Sequence, residues 1–112
     1  MLRIGICDDE KQGREELYLI LEQILHRKEN DLYIEEFASG EETLSYMLEE
    51  HTGELDLLFL DIEMSGMGGM ETARRLRRQD KKVILVFVTG YQDYVFDCYQ
   101  MDALDYVMKP VK

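Results

Sequence analysis

The sequence has few of the features that mark disordered, secreted or membrane-spanning proteins. Its 112 residues include one proline, two cysteines and no tryptophan. With 46% apolar residues and a single proline, the composition excludes a disordered or low-complexity chain. No stretch approaches the ~20 consecutive apolar residues that a membrane helix requires, and no signal peptide opens the chain. We therefore predict one globular domain that does not contact a membrane.

Cysteine is also scarce, and basic residues are outnumbered, with 13 Lys and Arg against 24 Asp and Glu. Cys7 and Cys98 lie far apart in apolar surroundings, which indicates reduced thiols in a cytoplasmic protein and neither a disulfide framework nor a zinc site. The formal net charge is −11. This charge argues against direct nucleic acid binding by the domain. The excess of carboxylates is compatible with binding of a divalent cation.

Apolar runs of strand length alternate with helical patterns along the whole chain. The strands are predicted at Leu2–Cys7, Leu32–Phe37, Leu55–Asp61, Val83–Val88 and Leu104–Met108. The helices are predicted between them, the first ending near Lys28, the second near Thr52, the third at Gln79 and the fourth at Met101. Such alternation implies a parallel sheet with right-handed crossovers. We predict the flavodoxin-like, doubly wound α/β fold with strand order 2-1-3-4-5.

Polar side chains follow the central strands, all at the same end. Asp8 and Asp9 follow the first strand, Asp61 ends the third, Thr89 follows the fourth and Lys109 follows the fifth. Taken singly, each could be a helix cap, a turn residue or a solvated charge. In the order 2-1-3-4-5, however, the five residues converge on one cleft at the carboxyl edge of the sheet.

The residue types in this cleft suggest phosphoryl chemistry. Three carboxylates close together repel one another and raise their pKa values unless a cation intervenes. Ligands that are all oxygen suit Mg²⁺, which keeps waters and accepts phosphate oxygens. A lysine and a threonine hydroxyl both favour an anionic group nearby. Carboxylate, Mg²⁺, lysine and hydroxyl together are what phosphoryl transfer onto a carboxylate requires.

These residues also carry a family resemblance. The chain resembles a receiver domain of the response regulators of bacterial two-component signalling. The matching positions are Asp8, Asp9, Asp61, Met64, Gly66, Gly69, Thr89, Asp105, Tyr106, Lys109 and Pro110. Within the family, residues 91–94 and 103–110 resemble the subgroup whose output domain is a LytTR-type DNA-binding domain that regulates transcription.

The resemblance implies a role for each residue of the cleft. Asp61 would be the phosphoacceptor that receives a phosphoryl group from the phosphohistidine of a sensor histidine kinase, and Lys109 would pair with that group. The Mg²⁺ ligands would be Asp8, Asp9, Asp61 and the backbone carbonyl of Glu63.

The resemblance also implies a switch. Thr89 would hydrogen-bond the phosphoryl group, and Tyr106 would then move from an exposed to a buried position. The Lys109–Pro110 peptide bond is similar to one that is cis in the family. The chain would be a phosphoacceptor signalling domain and not an enzyme acting on a separate substrate.

The sequence departs from the family pattern in two places. Ser65 stands where the family usually has a proline, four residues after the phosphoacceptor. The chain also stops at Lys112, before the fifth helix of a receiver. We therefore expect residues 1–112 to be a fragment of a longer regulator whose output domain is not in this chain. A homodimer is expected to cover the sheet face bared near Leu2, Ile4 and the fifth strand.

Two other functions remain open. A phosphate-independent pseudo-receiver would bind a partner without being phosphorylated, but such a protein would be expected to lack Asp61, Lys109 or the acidic pair, and none is lacking. A haloacid-dehalogenase-type phosphatase also uses an aspartyl nucleophile with Mg²⁺. Its nucleophile ends the first strand, however, and a second aspartate follows two residues later, whereas Glu63 stands there in this chain. The sequence supports a flavin-binding flavodoxin less than either of these two functions, because no Ser/Thr-rich phosphate loop follows the first strand.

Overall fold

Five parallel strands form one sheet in the order β2-β1-β3-β4-β5. The computed structural model describes residues 1–25, 32–90, 100 and 102–109. The strands are β1 Leu2–Cys7, β2 Leu32–Phe37, β3 Leu57–Asp61, β4 Ile84–Thr89 and β5 Asp105–Met108. The predicted order and the edge position of β2 are confirmed.

The helices connect these strands. They are α1 Lys11–Leu25, α2 Gly40–Leu44, which continues as a π-helical segment over Ser45–Glu50, and α3 Gly69–Arg77. Ser39 caps α2 by accepting a hydrogen bond from the backbone N–H of Glu42. Among the described residues, no helix is both long and apolar enough to cross a membrane.

Two apolar clusters fill the two sides of the sheet. The larger lies against α2, the π-helical segment and α3, and its fully buried members include Leu58, Leu60, Ala73, Leu76 and Phe87. The smaller lies beneath α1 and joins the buried Ile4, Ile6, Leu17, Leu21 and Val88. Strands β1, β3 and β4 therefore lie in the interior of the domain, which explains their nearly continuous apolar sequences.

The side of the sheet that carries α1 is only partly covered. Ile84 lies on the same face of β4 as Val88, yet 45% of Ile84 is exposed. Of the residues expected to be bare on this side, Leu2 is 37% exposed, whereas Ile4 is fully buried beneath α1. Ile24, near the end of α1, is 57% exposed. The open surface therefore lies over the start of β4 and not over Ile4.

Several sequence-based expectations lie outside the described residues. These are the helix predicted over 91–101 (apart from Gln100), the thiol of Cys98 and the cis geometry of the Lys109–Pro110 bond. The other cysteine, Cys7, is buried as a free thiol. Burial raises the pKa of this thiol to about 12, so Cys7 stays protonated at neutral pH.

Candidate functional site

The register of the sheet brings the predicted polar residues to one edge. Cys7 pairs with Leu60, so the residues that follow them, Asp8 and Asp61, emerge side by side from neighbouring strands. Asp8 is 5% exposed, Asp61 is 2% exposed and Thr89 is fully buried. Carboxylates are almost never buried to this degree without a charge partner.

Lys109 is the charge partner of both aspartates. Its Nζ atom lies 3.2 Å from Asp61 Oδ2 and 3.4 Å from Asp8 Oδ2. The lysine backbone N–H donates to the carbonyl of Thr89 at 2.8 Å, which fixes the end of β5 beside the end of β4. The register of the strands thus holds Lys109 against Asp61, although Lys109 lies 48 positions later in the sequence.

The two oxygens of Asp61 have different surroundings. Oδ1 accepts a 3.3 Å hydrogen bond from the backbone N–H of Glu63. Oδ2 is buried and has no partner with hydrogen-bond geometry among the described residues, although the ammonium of Lys109 is within ion-pair distance. A buried carboxylate oxygen that lacks a hydrogen bond is costly in a folded protein and often marks a site that acquires a ligand.

The site shifts the pKa values of both charged partners. Burial, and then the charge of Asp8, raise the pKa of Asp61 from 3.8 to about 6, although Lys109 and the Glu63 N–H act in the opposite direction. Burial lowers the pKa of Lys109, but the charges of Asp61 and Asp8 outweigh it, so the net shift is upward. Asp61 is therefore an unusually basic carboxylate that is still mostly ionised at neutral pH.

Two further carboxylates, those of Asp9 and Glu10, lie beside Asp8. One oxygen from each of Asp8, Asp9 and Glu10 lies within 4.8 Å of the other two. Asp9 and Glu10 share a shallow polar cleft with Glu63, Met64 and Ser65, and Asp9 accepts a 2.8 Å hydrogen bond from the Ser65 N–H. An oxygen-only cluster beside a buried, unpartnered carboxylate oxygen fits a hard divalent cation such as Mg²⁺.

Comparison with known proteins identifies the family. The model of the response regulator receiver domain matches residues 4–112 of this chain. The chain belongs to this family. The receiver domain is a signalling domain of two-component systems, and receiver domains generally use Mg²⁺ at an acidic pocket such as the one described above.

Curated relatives of this receiver domain are sensory transduction proteins. It is 36% identical over 110 residues to LytT of Bacillus subtilis, an alignment that covers 98% of this chain and 43% of the relative. It is 29% identical to LytR of Staphylococcus saprophyticus, covering 97% of this chain and 40% of the relative. The chain thus spans less than half the length of these relatives.

Solved structures share the fold. The response regulator TrrA of Thermotoga maritima in complex with Mg²⁺-BeF superposes with a TM-score of 0.77 at 33% identity, covering 100% of this chain and 90% of that one. A CheY-like receiver domain from Methanospirillum hungatei gives a TM-score of 0.83 at 25% identity, covering 100% of this chain and 84% of that one.

The loop after β3 is fitted closely to Asp61. Gly66 has a φ of +73°, a conformation that glycine adopts without strain. The N–H of Gly69 donates to the Ile62 carbonyl at 2.9 Å. A Cβ atom on Gly69 would collide with the backbone carbonyl of Asp61, so α3 begins directly against the main chain of that residue.

The residues of the predicted switch lie on β4 and β5. The side chain of Thr89 is fully buried. Tyr106 is partly buried and packs against the larger apolar cluster. The receiver domain therefore already holds Tyr106 partway toward the core, and its proposed movement stays a prediction.

The acidic cluster contains one carboxylate beyond the predicted site residues. Glu10 was not among the predicted metal ligands, yet its carboxylate lies in the acidic cluster. The sequence signal for it was present, because Glu10 directly follows the pair Asp8 and Asp9. For Glu63, the described contact is the bond from its N–H to Asp61. Ligation by its carbonyl stays a prediction.

Proposed function

We propose that this receiver domain accepts a phosphoryl group on Asp61. The observation that carries the proposal is the buried carboxylate of Asp61, which has a raised pKa and an ammonium 3.2 Å from its Oδ2. In the transfer, the phosphorus–nitrogen bond of a kinase phosphohistidine breaks and a phosphorus–oxygen bond to Asp61 forms. The imidazole nitrogen keeps the electron pair and takes a proton from solvent.

The surrounding side chains prepare this step. Burial of Asp61 removes water from the nucleophile and limits later hydrolysis. In this proposal Lys109 meets the incoming negative charge and the Thr89 hydroxyl hydrogen-bonds the phosphoryl oxygens. Asp8, Asp9, Glu10, Asp61 and the Glu63 carbonyl are the groups that would hold Mg²⁺. When bound, the ion supplies positive charge that offsets the crowded carboxylates and the phosphoryl group.

We further propose that phosphorylation controls an output domain outside this chain. A phosphoryl group adds about −1.5 to −2 charges, which favours the conformation that draws Thr89 inward and lets Tyr106 follow. The similarity to LytT and LytR supports a LytTR-type DNA-binding output and a sensor histidine kinase as phosphodonor. The receiver domain itself, with its net charge of −11, would not bind the nucleic acid.

Intact-protein mass spectrometry tests the phosphoacceptor. After incubation with acetyl phosphate and Mg²⁺, we expect a gain of one phosphoryl mass, which is absent in Asp61→Ala and absent when EDTA replaces Mg²⁺. No gain in the unaltered protein would favour the pseudo-receiver. Steady release of phosphate from simple phosphate esters would favour the phosphatase.

We also propose that a second copy of this chain covers the open side of the sheet. On this side of the sheet Ile84, at the start of β4, is 45% exposed and Leu2, at the start of β1, is 37% exposed. They leave apolar surface that association would bury. Light scattering over a concentration series is expected to show a dimer that Ile84→Lys weakens. A monomer at high protein concentration would contradict the proposal.

A further inference from the structure

Asp8 belongs both to the acidic cluster and to the ion pair with Lys109, so the geometry of both depends on its position. Its carboxylate is itself held: Oδ1 accepts a 2.9 Å hydrogen bond from the Glu10 N–H, and Oδ2 faces Lys109. Its main chain is held as well, because the Asp8 N–H donates to the Phe37 carbonyl at 3.1 Å. The remaining main-chain group, the Asp8 carbonyl, lies at the start of the turn into α1.

The side chain of Arg14 binds this carbonyl. From the first part of α1, its Nη1 atom donates to the Asp8 oxygen at 2.8 Å. Its Nε atom lies 3.4 Å from Oε1 of Glu36, near the end of β2. Only 16% of the Arg14 side chain is exposed, so water competes weakly for these contacts. One guanidinium group thus joins α1, the turn after β1 and the end of β2.

We propose that Arg14 is a positioning residue for the metal site. It fixes the Asp8 main chain, and through it the direction in which the Asp8 carboxylate leaves the sheet. Arg14 contacts none of the proposed reacting atoms. A hydrogen bond from a charged donor is roughly twice as strong as one between neutral groups, enough to hold one conformation of a short turn. The inference rests on the proposed function, because it assumes that the acidic cluster binds Mg²⁺.

Electrostatics alone predicts the opposite effect of removing Arg14. The guanidinium carries a positive charge near the carboxylates, within the ~8–10 Å over which charges interact at moderate salt. Deleting that charge would make the cluster more negative and tighten Mg²⁺ binding. If Arg14 instead positions Asp8, its loss scatters the ligands and weakens Mg²⁺ binding. The sign of the change in affinity therefore separates the two roles.

Calorimetric titration of the metal-free protein with Mg²⁺ measures this sign. In Arg14→Met, which keeps the aliphatic part of the side chain and a similar helix propensity, we expect about tenfold weaker Mg²⁺ binding. Arg14→Lys keeps the charge but offers no rigid fork, so an intermediate loss is expected. The control is Arg75→Met, which removes an equal charge from the exposed face of α3, where Arg75 pairs with Glu71 at 2.9 Å.

Two further readouts complete the test. The Mg²⁺ concentration that gives half-maximal phosphorylation by acetyl phosphate is expected to rise about tenfold in Arg14→Met, in parallel with the weaker calorimetric affinity. Urea unfolding with EDTA establishes that each variant is folded. If Arg14→Met is not folded, the Mg²⁺ affinities of Arg14→Lys and Glu36→Gln are compared with that of the unaltered protein instead.

The outcomes separate this inference from the proposed function. Unchanged or tighter Mg²⁺ binding in a folded Arg14 variant would overturn the positioning role and leave phosphorylation of Asp61 intact. Absence of Mg²⁺ binding by the unaltered protein would overturn both. Weaker binding in the Arg75→Met control to the same extent would also refute the inference, because the effect would then not be specific to the contact of Arg14 with the Asp8 carbonyl.

Discussion

Replacing Lys109 with methionine is expected to lower the free energy of unfolding of the metal-free protein by about 3 kcal/mol at neutral pH. Among the described residues, Lys109 is the cation within ion-pair distance of Asp8 and Asp61. Both carboxylates are at most 7% exposed at the side chain, so neither recovers its hydration when the ammonium is removed. Lys109 itself is 32% exposed, which keeps the expected loss at the lower end for a buried pair.

The pH dependence of this loss is the specific part of the prediction. Without Lys109 the pKa of Asp61 moves further upward, so Asp61 can become neutral by binding a proton as the pH falls. The destabilisation should therefore shrink toward about pH 4, where Asp61 is protonated. Added Mg²⁺ should recover part of it, because the ion binds only the folded site.

Urea denaturation at the two pH values, with EDTA and with Mg²⁺, measures the effect. The matched control is Lys81→Met, since Lys81 is exposed and its ammonium donates to the Arg77 carbonyl, away from the site. An equal loss at both pH values would contradict the prediction, because it would mean that Lys109 stabilises the fold by packing and not by charge.

The second expected result has the opposite sign: Asp61→Asn should stabilise the metal-free protein by about 2–3 kcal/mol at neutral pH. The pKa of Asp61 is about 6 in the folded protein against 3.8 as its ordinary value. Between these two pH values the folded state binds more protons than the unfolded state, so stability falls as the pH rises through that window. Above this pH window, the buried charge of Asp61 lowers the free energy of unfolding by its full amount.

Asparagine carries no charge and so avoids this cost. The gain of Asp61→Asn over the unaltered protein should therefore be complete at neutral pH and nearly absent below about pH 4. Glu49→Gln is the control, because it replaces an exposed carboxylate of the π-helical segment with an uncharged side chain. This variant should show no such pH-dependent gain in the free energy of unfolding. A loss of stability at neutral pH, measured by urea denaturation with EDTA, would contradict the assignment of Asp61 as a destabilising charge.

Much of the fold and the site could be predicted because each central strand is an apolar run that ends at a polar or charged residue. Continuous apolar runs such as Val83–Val88 can only be buried strands, and the alternation with helices leaves one common strand order. Once that order is given, Asp8, Asp61 and Lys109 must meet at the carboxyl edge. The prediction of their convergence therefore depended on topology and required no detail of side-chain packing.

Other features escaped prediction for physical reasons. The π-helical turn over Ser45–Glu50 differs from an α-helix by one hydrogen-bond register, which an apolar spacing pattern does not distinguish. Ile24 has the spacing of a buried residue, but it lies near the end of α1, where 57% of it stays exposed. The contact of Arg14 with the Asp8 carbonyl depends on a turn geometry, so only the coordinates reveal it.

The close approach of Gly69 to Asp61 has a mechanical consequence. With no side chain between them, the first residue of α3 rests on the carbonyl of Asp61, and dense packing transmits any displacement across such a contact. The end of β3 and the start of α3 therefore move as one rigid unit. A new charge on Asp61 therefore meets a fixed main chain on the α3 side. On its other side lie β4 and β5, which carry Thr89 and Tyr106 and are joined to β3 through the hydrogen bonds of the sheet.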